Sequence, residues 1–326
     1  MSFRTRITEL LGIPYPIMQG GMRWAARAEL AAAVSNAGGL GTISAHTQPD
    51  RAALATEIAR ARQLTDKPLA VNLTLLPANT GLDYEGYVAA ILDGGVKVVE
   101  TAGANPAKYI QTFKNHGVKV VHKCTTVRHA LKAQELGADA VSIDGFECAG
   151  HPGEDDIPAL VLIPAASAKL RIPILACGGF ADGRGLIAAL ALGADGVNMG
   201  TRFLLTRESP LHPRLKARLV EASERDTVLV GRSYRDSTRV LRNSASTQAL
   251  ELEKAGQANH HTLAPYIGAA QWMKAMAEGE TESAALPVGM VVGLITDIPS
   301  CAELIARMVY EARALATARL PAAVGR

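Results

Sequence analysis

The residues with chemical potential in this sequence gather in a few short segments, each following an apolar run. Cys177-Gly178-Gly179-Phe180-Ala181-Asp182-Gly183 and Met199-Gly200-Thr201-Arg202 are rich in glycine. Without a Cβ, the backbone N–H groups of such loops approach a phosphate closely, and a following helix start adds partial positive charge. The same glycines are also what a tight turn requires.

Lys123 ends the run Val120-Val121-His122, where a fixed cation can offset charge on a phosphate or on a reduced ring. Asn72 and Thr74 carry hydrogen-bonding groups suited to a ring edge or a polyol chain. Met22 offers a soft apolar surface to a planar ring, although methionine serves equally as core filler.

His151 stands in the segment Asp144-Gly145-Phe146-Glu147-Cys148-Ala149-Gly150-His151-Pro152-Gly153. Its imidazole can hydrogen-bond a carbonyl or move a proton near neutral pH; the plainer alternative is a satisfied structural histidine. Cys148-x-x-His151 has no second matched pair to complete a metal site. Cys124, Cys148 and Cys177 fit small buried side chains better than redox thiols, since no Cys-x-x-Cys is present.

For these segments to meet, they must sit at one end of a common scaffold. Eight short apolar or β-branched runs are read as strands: Ile17–Gln19, Leu40–Ile43, Leu69–Leu73, Lys97–Glu100, Lys119–His122, Ala140–Ile143, Ile174–Ala176 and Gly196–Met199. Helical stretches separate them, and several end on a glycine just before the next strand, as in Leu136-Gly137-Ala138-Asp139 and Leu192-Gly193-Ala194-Asp195.

Mostly continuous apolar strands alternating with helices predict a parallel sheet covered on its faces. A (β/α)8 TIM barrel is the simplest closure with eight of them, and its loops at the carboxyl ends of the strands share one mouth. A doubly wound sheet would want an early Gly-x-Gly-x-x-Gly, and only Gly20-Gly21 is there. Residues 207–285 read as a smaller all-helical insertion near the mouth, with no convincing strand. Residues 1–206 and 286–326 read as the barrel, and Ser300 to Ala316 as its closing amphipathic helix.

With 326 residues, 48% of them apolar, the chain can bury one large core and leave a modest second module. The formal charge of +3 is spread without a basic block, which argues against nucleic acid or an anionic membrane surface as partner. Neither a signal peptide nor a run long enough to span a bilayer is read, and four cysteines make no disulfide framework; a cytoplasmic protein acting on small molecules is the expectation.

Taken together, Pro16-Ile17-Met18-Gln19-Gly20-Gly21-Met22, Asn72-Leu73-Thr74, His122-Lys123-Cys124-Thr125, Gly145 through Asp156, Gly178 through Gly185 and Asn198 through Phe203 resemble the nitronate monooxygenase (2-nitropropane dioxygenase-like) superfamily over nearly the whole chain. Within it, the likeness is to the bacterial FMN-dependent NADH:quinone reductases. Nitronate monooxygenases usually carry Glu-Ala-Gly-Gly-His after the sixth strand, whereas here Glu147-Cys148-Ala149-Gly150-His151 runs on into Pro152-Gly153-Glu154-Asp155-Asp156.

The resemblance implies non-covalent FMN, NADH as co-substrate and a quinone as acceptor, with nitronate oxidation as the alternative. It maps the family's histidine onto His151. It also implies FMN contacts at Gly21, Met22, Thr74, Lys123, Ala149, Gly150, Gly178, Gly179, Gly200 and Thr201, to which Asn72, Asp144 and Met199 are added as neighbours. The loop around Pro77 is similar to a segment that can cover the flavin. An enoyl-thioester reductase is a further relative, and a barrel that binds a phosphorylated metabolite without flavin is the alternative from another class.

Overall fold

The computed structural model describes residues 3–75 and 82–325; the loop around Pro77 lies outside them. Eight parallel strands, β1 (Ile17–Gln19), β2 (Gly41–Ser44), β3 (Leu69–Leu75), β4 (Val98–Gly103), β5 (Lys119–Cys124), β6 (Ala140–Asp144), β7 (Ile174–Cys177) and β8 (Gly196–Met199), pair in the order β1-β8-β7-β6-β5-β4-β3-β2. The ends of that order meet: Met18 bridges Leu40, with Gln19 N donating to Leu40 O at 2.9 Å and Leu40 N donating to Ile17 O at 2.9 Å. The sheet is therefore closed into a TIM barrel.

The residues explain both surfaces of this wall. Ile17, Ile43, Val71, Leu73, Val99, Val120, Val141, Ile143, Ile174 and Val197 join the apolar layer between strands and helices. Met18, Leu40, Ala70, Val98, Val121, Ala140 and Leu175 form a separate apolar cluster, which Ile7 and Leu11 of the N-terminal helix Arg6–Leu11 close from below. Two residues further along the same inward parity, the side chains turn polar: Asn72, Glu100, Lys123, Ser142 and Asn198. The barrel is thus sealed with hydrocarbon at its amino end and lined with charge and amide groups toward its carboxyl end.

Seven helices follow the first seven strands, and the eighth, Cys301–Ala314, comes only after a long insertion beyond β8. Its Cys301, Leu304, Ile305 and Met308 lie in the main apolar layer. Ser300 starts it with a capping box, accepting from Glu303 N. The insertion is joined to the barrel by Arg202. This buried guanidinium donates to Asp297 Oδ1 at 3.0 Å and to the carbonyls of Leu205 and Asp297 at 2.7 and 2.8 Å. Arg202→Met removes the donor to the Leu205 and Asp297 carbonyls, while Arg307 still donates to both carboxylate oxygens of Asp297, so a loss of about 2 kcal/mol is expected. A thermal melt should register it as a Tm lower by roughly 5 °C.

The expectation of an all-helical insertion is corrected. Helices Pro213–Val220, Ser244–Lys254, His260–Ile267 and Ala269–Glu278 are present, but β9 (Thr227–Val230) and β10 (Thr238–Leu241) form an antiparallel hairpin among them. Val228, Val230 and Val240 pack on Ala249 and Leu263, which gives this hairpin an apolar face. Its connection turns through positive φ at Gly231 and Arg235. No helix among the described residues is long and apolar enough to cross a membrane.

Candidate active site

The polar layer inside the barrel forms one connected network around Glu100. This carboxylate is fully buried. It accepts from Asn72 Nδ2 at 2.7 Å, Asn198 Nδ2 at 2.7 Å and Gly21 N at 3.1 Å. Asn198 Nδ2 also donates to Ser142 Oγ at 3.0 Å, and Thr74 Oγ1 to Asn72 Oδ1 at 3.1 Å. Strand register makes this possible by setting Asn72 beside Glu100, Lys123 beside Ser142, and Cys177 beside both Asp144 and Asn198.

Lys123 sits between two carboxylates, with Nζ 3.8 Å from Glu100 Oε1 and 3.8 Å from Asp144 Oδ2. Burial alone would lower its pKa, but Asp144 and Glu100 outweigh it and hold the ammonium well above its usual value. Burial raises the Asp144 carboxyl, against the pull of Lys123 and a hydrogen bond with Cys177. Asp144 Oδ1 and Asn198 Oδ1 are buried acceptors with no donor among the described residues, which is uncommon unless a ligand or water completes them.

Above this network the loops crowd together. Gly178 and Gly179 follow β7 with φ of +87° and +88°. A Cβ on Gly178 would come within 2.9 Å of Gly145 O and 3.1 Å of Cys148 N, so loops six and seven are in backbone contact. A Cβ on Gly200 would touch Met22 Sδ at 3.5 Å, and one on Gly21 would strike Asn72. Thr201 Oγ1 accepts from Gly289 N at 3.0 Å, and Glu147 O accepts from Met290 N at 3.0 Å.

Gly21, Met22, Asn72, Thr74, Lys123, Asp144, Gly178, Gly179, Gly200 and Thr201 are accordingly neighbours at one mouth. Met199 contributes only backbone there, because its side chain lies in the outer apolar layer. The helix after β7 also departs from expectation. Its starting N–H groups at Gly185 and Gly183 already donate to Asp182 Oδ1 and Glu311 Oε2, so this helix start is occupied by the chain's own carboxylates.

Loop six reaches across to the hairpin. Gly150 N donates to Arg239 O at 3.1 Å and Arg239 N to Gly150 O at 2.6 Å. The Arg239 guanidinium donates to Phe146 O and stacks over the Phe146 ring at 4.4 Å. Ala149 is held at the same crossing, against Gly289. His151 is half exposed, with Nε2 at 3.2 Å from Thr238 Oγ1 and 3.4 Å from Asp236 Oδ1. It belongs to the rim, apart from the buried network. Asp236 is held below the usual carboxylate range, first by its bond to His151.

Sequence reasoning missed Glu100, Ser142 and Asn198. The signal was parity for Glu100 and Ser142, which stand two residues beyond the inward Val98 and Ala140, whereas Asn198 follows only Gly196. Asp236 and Thr238 carried no signal, because the hairpin that presents them was not foreseen.

The family description for nitronate monooxygenase matches residues 4–84 and 74–311, almost the whole chain. The chain belongs to the nitronate monooxygenase family. Among family relatives, a (3aS,4S,5R,7aS)-5-hydroxy-7a-methyl-1-oxo-octahydro-1H-indene-4-carboxyl-CoA dehydrogenase of Mycobacterium tuberculosis is 36% identical, over 96% of this chain and 97% of its own length. A probable nitronate monooxygenase of Staphylococcus saprophyticus is 34% identical over 70% of this chain and 76% of its own length. The solved structure of FabK from Thermotoga maritima superposes with a TM-score of 0.88 at 38% identity, covering 97% of this chain and 98% of that one. This nitronate monooxygenase family member is an oxidoreductase by that kinship.

Proposed function

We propose that this chain is an FMN-dependent NADH:quinone oxidoreductase. The observation that carries the reading is the Lys123 ammonium, fixed between Glu100 and Asp144 at the carboxyl end of the barrel. FMN fits these residues. Positive-φ glycines without side chains suit a phosphate, and the unpaired acceptors Asp144 Oδ1 and Asn198 Oδ1 suit the N–H edge of a flavin ring. Gly178, Gly179, Gly200 and Thr201 would hold the phosphate end, and Gly21, Met22, Asn72, Thr74 and Lys123 the ring. When bound, FMN supplies a ring that takes up hydride and passes on two electrons.

The protein's share of the work is electrostatic and steric. Lys123 keeps its proton and offers a permanent positive charge where negative charge accumulates during reduction. Glu100 aligns Asn72, Asn198 and the Gly21 backbone, so these donors need no rearrangement during turnover. At the rim, Asp236 calls for a proton on His151 Nε2. Nδ1 of the neutral ring is then an acceptor for the N–H of a nicotinamide amide, and only with a second ring proton would it donate to a quinone oxygen. Two-electron reduction of a quinone takes its two protons at exposed oxygens, from solvent or from a rim imidazolium, and needs no buried acid.

The test is anaerobic. FMN-loaded protein mixed with NADH should lose its flavin colour, and benzoquinone should restore it. Failure to bleach, together with turnover of propionate-3-nitronate under oxygen, would sink the proposal. That second reading is favoured by the family's name and by the Staphylococcus saprophyticus relative. A coenzyme A thioester belongs in the same panel because of the Mycobacterium tuberculosis relative. His151→Ala is expected to slow at least one half-reaction about tenfold or more, the usual scale for a positioned hydrogen-bonding imidazole. Stopped-flow traces unchanged in both would remove His151 from the mechanism.

A further inference from the structure

A second group of residues lies at the mouth beyond β1–β3, and the polar network does not use it. Trp24, in the turn after β1, has φ +72°, a costly conformation for a bulky side chain. It is held there by Trp24 N donating to Thr47 Oγ1 at 3.0 Å and by Arg27 Nε donating to Trp24 O at 3.2 Å. What this strain achieves is a platform: the Arg23 guanidinium stacks over the Trp24 ring at 4.9 Å. Arg23 is exposed, and among the described residues no carboxylate pairs with it. Desolvation nonetheless draws its pKa below the usual arginine value, the condition in which an anionic partner helps most.

Beside it runs a shelf of rings. His46 packs against Tyr84 at 5.7 Å and Tyr84 against Tyr109 at 6.0 Å. Tyr84 Oη donates to Thr74 O at 3.0 Å, which fixes its ring relative to the end of β3. His46 is buried, and burial together with the charge of Arg23 pushes it down to about 4. It is therefore neutral at physiological pH, and Arg23 is the positive group at this end of the shelf. An unpaired cation on a ring platform, continuing into two partly exposed tyrosine faces, matches a phosphate joined through ribose to a purine.

We propose that Arg23, seated on Trp24, takes a phosphate of the pyridine nucleotide, and that the Tyr84–Tyr109 rings take its adenine. This deepens the NADH reading and rests on it. The Gly178-Gly179 loop, past β7, remains for the phosphate of the resident cofactor, so the two anions have separate places on the mouth.

Calorimetry with ADP as probe, on the FMN-loaded protein, tests the site without requiring turnover. Wild type should bind ADP with an affinity that falls as salt rises. Arg23→Ala should raise the Kd about tenfold and flatten that salt dependence, with Arg23→Lys between the two. Tyr109→Ala should weaken ADP while keeping the salt dependence. Thermal melts confirm that each variant is folded. Equal ADP affinities for wild type and Arg23→Ala, or no ADP binding by wild type, would overturn the proposal. If ADP binding depends on Arg23 but NADH does not reduce the wild-type flavin, the nucleotide site stands and NADH as reductant fails. If NADH bleaches both proteins at the same half-saturating concentration and ADP does not discriminate them, the reductant stands and the site fails.

Discussion

Lys123→Met is expected to lower the melting temperature by roughly 10 °C at pH 8, from the loss of about 3–5 kcal/mol that follows removal of one partner from a buried ionic group. Methionine fills the space, so the loss reports charge. Without the ammonium, Glu100 and Asp144 are two buried carboxyls with no cation between them. Burial already raises the Asp144 pKa in the intact protein, and without Lys123 that rise is unopposed.

The variant's deficit should therefore shrink as pH falls and a carboxyl takes a proton. Lys123→Met/Glu100→Gln should recover part of the loss at pH 8, since it removes one of the two stranded charges. At the alkaline end the sign reverses roles. The folded pKa of Lys123 lies above its ordinary 10.5, so its stabilisation is complete below pH 10.5 and fades as pH climbs through the folded value. Wild type should show that alkaline loss and Lys123→Met should lack it. Melts that differ by less than about 1 kcal/mol between the two proteins at pH 8 would mean that the ammonium is solvated and the network unimportant.

Gly178→Ala is the second large effect. At φ +87° an alanine costs about 1–2 kcal/mol, and its methyl would press on two backbone atoms of loop six, Gly145 O and Cys148 N. Loop six has to move, and with it the crossing that holds Ala149, Gly150 and His151. FMN affinity is expected to fall more than about tenfold, which corresponds to 1.4 kcal/mol, read from the fluorescence of released flavin. Gly179→Ala, at the second glycine proposed to face the phosphate, is the comparison: it shares the strain but not the clash between loops, so its flavin loss should be smaller. It carries a similar φ of +88°, but its methyl would stand 3.8 Å from the Glu147 side chain and clear of other atoms. Equal flavin loss in both variants would place the effect in local backbone strain and discard the contact between loops.

The eight strands were legible because each has a short apolar core, but the carboxyl ends of β2 to β7 were read too short. Leu69–Leu73 extends to Leu75, and Lys97–Glu100 is replaced by Val98–Gly103. Reading by hydrophobicity stops where the apolar run gives out, whereas the backbone ladder continues and carries Thr74, Thr101, Lys123 and Asp144 with it. The residues that end a strand on paper are the ones that line the mouth. The lone Glu100 looked like a strand terminus for the same reason.

Loop chemistry was easier to see, because Gly178-Gly179 and Gly200 need their composition whatever surrounds them. The position of His151 was not legible. It depends on Asp236 and Thr238 across 85 residues or more of chain, and Thr227-Val228-Leu229-Val230 is short enough to be hidden among charged helices. A hairpin whose partner strand is equally short leaves little pattern in a single sequence.

Quinones are Michael acceptors, and a cysteine thiolate within reach would add to the ring and poison the catalyst. Cys148 and Cys177 border this mouth, yet burial, reinforced by the nearby Asp144 carboxylate, drives both thiols well above their ordinary acidity range. Cys124 is raised in the same way, by burial and Asp144. Sulfurs held protonated in this way would stay unreactive toward the quinone proposed as acceptor, as many turnovers on such an electrophile would require.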